Sequence, residues 1–206
     1  MHKLAELFAS SASAAEYAPR YLERLHEVLR GIDPGVLQRV VERIEQAVRE
    51  GRRLFIIANG GSAGVAAHIV NDLVAGGYSE DAPPFRALSL SDNVPSVTAL
   101  ANDSGYDSVF ERQLRVHLEP GDVVLGMSVS GNSENILRGV AYARERGAAT
   151  IGWCGFEGGR LAGACDLVVH VPATKDEYGP VEDAFSVLGH IVCGYLTMRH
   201  GKMLHH

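Results

Sequence analysis

The spacing of hydrophobic positions changes character at Gly51, from helical stretches to an alternation of two periods. Before it, "VLQRVVERIEQAVREG" repeats apolar residues every three or four positions, the period of one helix face. Asp33 suits the N-cap of that helix, Pro34 its first position and Gly51 its stop. An earlier amphipathic stretch runs from about Leu4 to Leu29. It is expected to break near Pro19, because proline removes a helix donor and crowds the preceding turn. After Gly51 come short apolar runs: "RLFIIAN", "FRALSL", "DVVLGMSV", "ATIGWCG" and "LVVHVP". Helical segments at roughly 62–75, 107–118, 133–147 and 180–199 separate or follow them.

Strand–helix alternation predicts a parallel sheet covered on both faces, with ligands at the carboxyl ends of the strands. No internal repeat, low-complexity tract or linker interrupts it. The expected architecture is therefore a single α/β domain over residues 1–206. It is a three-layer α/β/α sandwich around a five-stranded parallel sheet, with residues 1–50 as a helical extension that packs on the sheet domain or on a partner subunit.

Composition narrows the function. With 46% hydrophobic and 21% charged residues the chain is globular and not disordered. A net charge of -6 argues against nucleic acid, which calls for a basic stripe, but permits a small anion held by backbone N–H groups and hydroxyls. The N-terminal "MHKLAELFASSASAAEYAPRYLERL" lacks the apolar core of a signal peptide, and no segment suits a bilayer; a soluble cytoplasmic protein with no membrane partner is expected. Cys154, Cys165 and Cys193 form no CxxC pair and read as buried reduced thiols. His205 and His206 are given no role.

The stretch "VVLGMSVSGNSENILRGV" carries the clearest chemistry. A strand ends in Ser128, Ser130 and Ser133, threaded with Gly131 and Asn132, and Ser133 suits the N-cap of the next helix. Hydroxyls, a glycine and the positive end of a helix dipole make an anion site. The same residue types also make ordinary turns, but three serines in this position favour the anion. "FIIANGGSAGVAAHIVNDLV" repeats the layout, with Asn59, Gly60, Gly61 and Ser62 between strand and helix. No Walker lysine and no GxGxxG is present, so a small phosphorylated ligand across two strand ends fits better than a nucleotide.

His68 and Asp72, at i and i+4, share a helix face. The last helix adds Glu182 and His190, eight residues and roughly 80° apart, although Asp183 aligns slightly better with His190. Two histidines with two carboxylates can bind zinc; each taken alone could equally be a satisfied histidine or a solvated carboxylate. Trp153 reads as core and residues 144–147 as a solvated helix end. His117, His170 and His200 show no matching partner, and Glu177 and Tyr178, in the loop "KDEYGP", are expected at the surface.

Taken together, "SVSGNSENI" and "ANGGSAGVAAHIVNDL" resemble the sugar isomerase (SIS) family, and within it the phosphoheptose isomerases, over nearly the whole chain. The resemblance implies that Ser128, Ser130 and Ser133 grip a sugar phosphate, with Asn59, Gly60, Gly61 and Ser62 close by. It implies a Zn2+ site at His68, Asp72, Glu182 and His190, with Glu182 also near substrate and Asp72 and His190 as acid/base groups. It further implies a homotetramer with active sites between subunits, converting a seven-carbon sugar phosphate between aldose and ketose. Four positions depart from the family: Asp72 stands for glutamate, Glu182 for glutamine, Val129 for threonine and Gly76 for arginine. These departures bear on the substrate more than on the reaction class. The alternatives are an isomerase of another phosphosugar, a non-catalytic adaptor resembling the replication-initiator-associating relative, or a sugar-phosphate sensor; the last is disfavoured because no basic helix-turn-helix is evident.

Overall fold

In the computed structural model, which describes residues 3–202, the serine-rich break near the N-terminus falls earlier than Pro19. Helix α1 (Lys3–Ala9) ends and α2 (Ala14–Arg30) begins at Ser13, whose hydroxyl accepts from the Glu16 N–H. Pro19 sits inside α2 without ending it. The cap sets the boundary here, and the helix carries the missing donor. Helix α3 (Pro34–Arg49) starts as its sequence predicts, with the Asp33 carboxylate accepting from the Gly35 N–H at 2.8 Å. His205 and His206 lie outside the described residues.

Five parallel strands follow: β1 (Arg53–Ala58), β2 (Arg86–Ser89), β3 (Val123–Ser128), β4 (Ala149–Cys154) and β5 (Leu167–His170), in the order β2-β1-β3-β4-β5. Side chains alternate across the sheet. Leu54, Ile56 and Ala58 enter one core, with Val40 and Ile44 of α3 and Phe185 and Leu188 of the last helix. Phe55 and Ile57 enter the other, with Phe110, Leu114, Ile136 and Val140. The expected three-layer sandwich is thus the observed one, with β1, β3 and β4 buried along nearly their whole length as central parallel strands are.

The covering helices are α4 (Gly60–Asn71), α5 (Val94–Ser104), α6 (Val109–His117), α7 (Glu134–Glu145), the short α8 (Leu161–Ala164) and α9 (Tyr178–Arg199). A π-helical turn, Asp72–Gly76, continues α4, and a 3₁₀ turn spans Tyr106–Ser108. From β1 the chain passes to β2 on one side and to β3 on the other, so the carboxyl ends of β1 and β3 flank the point where strand order reverses. Crevices for ligands form there. Helices α2 and α3 pack on the sheet domain, α2 against α9 and α3 against α9, β1 and β5.

Candidate active site

Both strand–helix junctions named from the sequence open into one cavity of about 320 Å³. Asn59, Gly60, Gly61 and Ser62 line it from the β1–α4 junction, Ser128, Ser130 and Ser133 from the β3–α7 junction, and Glu182 and Tyr178 from α9. Ser133 occupies the N-cap position of α7, yet its hydroxyl makes no capping bond. It lies 3.0 Å from the Ser128 hydroxyl instead. Ser130 accepts from the Asn132 N–H, and the Asn132 side chain donates back to the Ser130 carbonyl at 2.9 Å. The loop can make this turn because Gly131 has φ +65, a left-handed conformation that a side chain resists. It rests directly on the β4–α8 loop: the Leu161 N–H donates to Gly131 O, and a Cβ on Gly131 would run into Gly158 O.

Asn59 does not cap α4 with its side chain. Its amide exchanges two hydrogen bonds with the Asn135 amide, at 2.9 and 2.8 Å, and accepts a third from the Tyr106 hydroxyl at 2.7 Å. That pairing ties the two junctions together. Asn135 and Tyr106 were not foreseen, since nothing in the spacing of either residue marks it as a partner of Asn59.

A second group lies further along α4. His68, Asp72 and His190 each bring one ligand atom to within 4.8 Å of the others. His68 Nε2 stands 3.4 Å from Asp72 Oδ1, and His190 Nε2 stands 4.0 Å from Asp72 Oδ2. The two rings meet edge to face at 4.8 Å between centroids. Asp72 is 1% exposed, while both imidazoles are about half exposed, at 45% and 51%. Asp72 opens the π-helical turn, a widened turn of a kind found often at functional sites. Ligands held about 2.0–2.1 Å from a tetrahedral zinc are roughly 3.4 Å apart, the separation of His68 and Asp72, while His190 stands wider; the imidazole–carboxylate–imidazole set is a candidate divalent-metal site.

Glu182 stands apart from this cluster. Its position in the serine cavity follows from helix geometry, because eight residues of helix rise about 12 Å and separate Glu182 from His190 by two turns. The Ser62 hydroxyl donates to Glu182 Oε1 at 3.3 Å, and a Cβ on Gly61 would collide with both carboxylate oxygens. Asp183, the better-aligned neighbour, turns the other way and accepts from the Tyr21 hydroxyl at 2.5 Å. Burial, with Asp183 beside it, pushes the Tyr21 phenol well above its ordinary range.

Glu177 corrects the sequence reading, which left it at the surface: its side chain is 1% exposed. Arg24 of α2 donates to both its oxygens at 2.8 Å, and Thr174 adds its N–H at 2.6 Å and its hydroxyl at 2.8 Å. Burial by itself would raise this carboxyl, but Arg24 and Thr174 carry it down to about 2. The result fixes the start of α9, whose first turns present Tyr178 and Glu182 to the cavity. Tyr178 is exposed, as expected, and packs edge to face on Phe156 at 5.1 Å. Of the family departures, Val129 is buried and lends the cavity an apolar wall, and Gly76 is buried at the end of the π-helical turn. Trp153 is core, packed near Phe185. The three thiols are free; Cys154 and Cys193 are buried as expected but Cys165 only partly so, and burial pushes Cys154 up to about 11 and Cys165 and Cys193 to about 12.

Comparison with known proteins agrees with the fold. Residues 16–155 match the family model described as the SIS domain. The chain is 37% identical to the phosphoheptose isomerase of Rhodospirillum rubrum over 73% of its own length and 79% of the relative's. It is 34% identical to a probable phosphoheptose isomerase of Thermoplasma acidophilum, over 87% and 97% of the two chains. Among solved structures, the phosphoheptose isomerase of Neisseria gonorrhoeae superposes with a TM-score of 0.80 at 27% identity, covering 88% of this chain and 96% of that one. The chain belongs to the SIS-domain family, in its phosphoheptose isomerase branch.

Proposed function

We propose that this protein is an aldose–ketose isomerase of a seven-carbon sugar phosphate. It interconverts sedoheptulose 7-phosphate and a D-glycero-heptose 7-phosphate through an enediol. The observation that carries the reading is the pairing of a hydroxyl-lined cavity at two strand ends with an imidazole–carboxylate cluster further along the helix that leaves it. The named activity of the relatives supports the reaction class.

The residues divide the work. Ser128, Ser130 and Ser133, at the positive end of α7, receive the phosphate. Asp72 takes the proton from the carbon next to the carbonyl and returns it to the neighbouring carbon, while His190 exchanges a proton with the substrate oxygen. Zinc held by His68, Asp72 and His190 would add Lewis-acid polarisation of a substrate oxygen.

The half-exposed imidazoles support a site closed by a neighbouring subunit. Beside His190, Ile191, Tyr195 and Met198 form an exposed apolar stripe at helical spacing on α9. We read the assembly as a homotetramer with dihedral symmetry, acting in the cytoplasm. No helix among the described residues is long and apolar enough to cross a membrane. Incubation of the purified protein with sedoheptulose 7-phosphate tests the activity: an aldose heptose phosphate should accumulate to equilibrium, and its absence would end this reading.

A further inference from the structure

The cavity holds one group that a phosphate does not want. Glu182 is a carboxylate, able only to accept hydrogen bonds, and the one charged side chain among hydroxyl, amide and apolar groups that line this space. Its two oxygens lie against Gly61 in the first turn of α4, where they offset the positive end of that helix. The Ser62 hydroxyl has one proton, and it points at Glu182 Oε1, so it is spent on the carboxylate and not on a ligand oxygen. At the opposite wall the Ser128 and Ser133 hydroxyls are 3.0 Å apart; one proton bridges them and the other remains for a ligand.

The cavity is therefore two-ended. The α7 side offers donors and a helix dipole, and suits the phosphate. The α4 side offers a charged acceptor, and suits donors on the rest of the ligand. We infer that Glu182 is the specificity-determining acceptor of this pocket: it binds hydroxyls of the polyol chain and rejects anions that lack them. The ligand class is a phosphate ester carrying free hydroxyls within the span of one small cavity. This rests on the sugar-phosphate reading for the choice of ligand, but not on turnover.

The magnitude follows from charge and distance. A cavity of about 320 Å³ is about 8 Å across if round, and two charges that close change affinity roughly tenfold or more at an effective dielectric near 20. Losing a charged acceptor for a ligand hydroxyl also costs roughly tenfold or more.

Glu182→Gln keeps the shape and removes the charge, so the two effects separate by sign. By titration calorimetry on the folded variant, inorganic phosphate should bind about tenfold tighter than to the native protein. Sedoheptulose 7-phosphate should bind about tenfold weaker. Glu182→Asp, which keeps the charge but withdraws it, should leave inorganic phosphate within about twofold and still weaken the sugar phosphate. A purely structural role would move both ligands in the same direction. That result overturns the assignment, as does an unchanged affinity for either ligand in Glu182→Gln or a tightening of inorganic phosphate in Glu182→Asp. Because binding is read directly, a native protein that binds the sugar phosphate without converting it would refute the isomerase reading and leave this comparison standing.

Discussion

Replacing Glu177 by glutamine removes the charge from a carboxylate that Arg24 grips with two 2.8 Å bonds and Thr174 with two more. A carboxyl held at about 2 against an ordinary 4.5 corresponds to about 3 kcal/mol of stability at neutral pH. Breaking one side of a buried ion pair gives an independent figure of about 3–5 kcal/mol, because the guanidinium is left without its counter-charge. For a chain of this size the loss should lower Tm by roughly 6–12 °C at fixed protein concentration. The folded-state value is depressed, so the stabilisation is complete above the unfolded value of 4.5 and disappears as pH falls towards about 2. Below that, protonated Glu177 and glutamine are nearly equivalent. Denaturant unfolding of both proteins from pH 7 down to pH 2.5 should show a gap of about 3 kcal/mol that narrows once pH drops below about 4.5. A gap that is absent at pH 7, or that persists unchanged at pH 2.5, would refute the reasoning.

Ser133→Ala should weaken sugar-phosphate binding by about 1.5–3 kcal/mol, read by calorimetry, with little change in Tm because the hydroxyl does not cap α7; native affinity would remove it from the phosphate site. Asp72→Asn and His190→Ala should each lower turnover by roughly two to four orders of magnitude and reduce the zinc recovered with the protein, measured by elemental analysis after gel filtration, while inorganic phosphate still binds. Full activity in Asp72→Asn would remove it as the base. Light scattering at micromolar concentration should report four chains for the native protein and fewer for Ile191→Glu combined with Tyr195→Glu, both exposed on α9. A native monomer, or a variant tetramer, would count against the stripe as an interface.

Where pattern and burial coincide, the sequence could be read directly. The five apolar runs are the five strands, and the helical segments at 107–118, 133–147 and 180–199 are α6, α7 and α9 with shifts of a few residues at their ends. Helix α5 was missed for a physical reason: none of its residues is fully buried and its apolar face is narrow, Leu100 and Ala101 only partly covered, so the period in "VPSVTALANDS" is weak beside the Asn93 cap and Pro95. Local chemistry also made the serine and glycine junctions legible, because each cavity wall there comes from a contiguous stretch. Residues whose role depends on a distant element were not. Glu177 sits in a polar loop motif, and its partner Arg24 is 153 positions away. Glu182 and His190 were grouped by family likeness, whereas the rise of a single helix sends them to different places. The pair that spacing alone brought together, His68 and Asp72, is also together in the structure.

The serine loop and the loop beneath it touch through bare backbone. A side chain at Gly131 would strike Gly158 O, and one at Gly159 would strike Ser130 O. Neither collision is with the mobile end of a side chain that could swing aside. For evolution this couples two segments some thirty positions apart: a substitution in one has no acceptable neighbour until the other has moved. The floor of the serine-lined cavity is thus inherited as a matched pair, and new specificities in descendants of this chain are expected to arise along the α4 and α9 walls, where side chains can change one at a time.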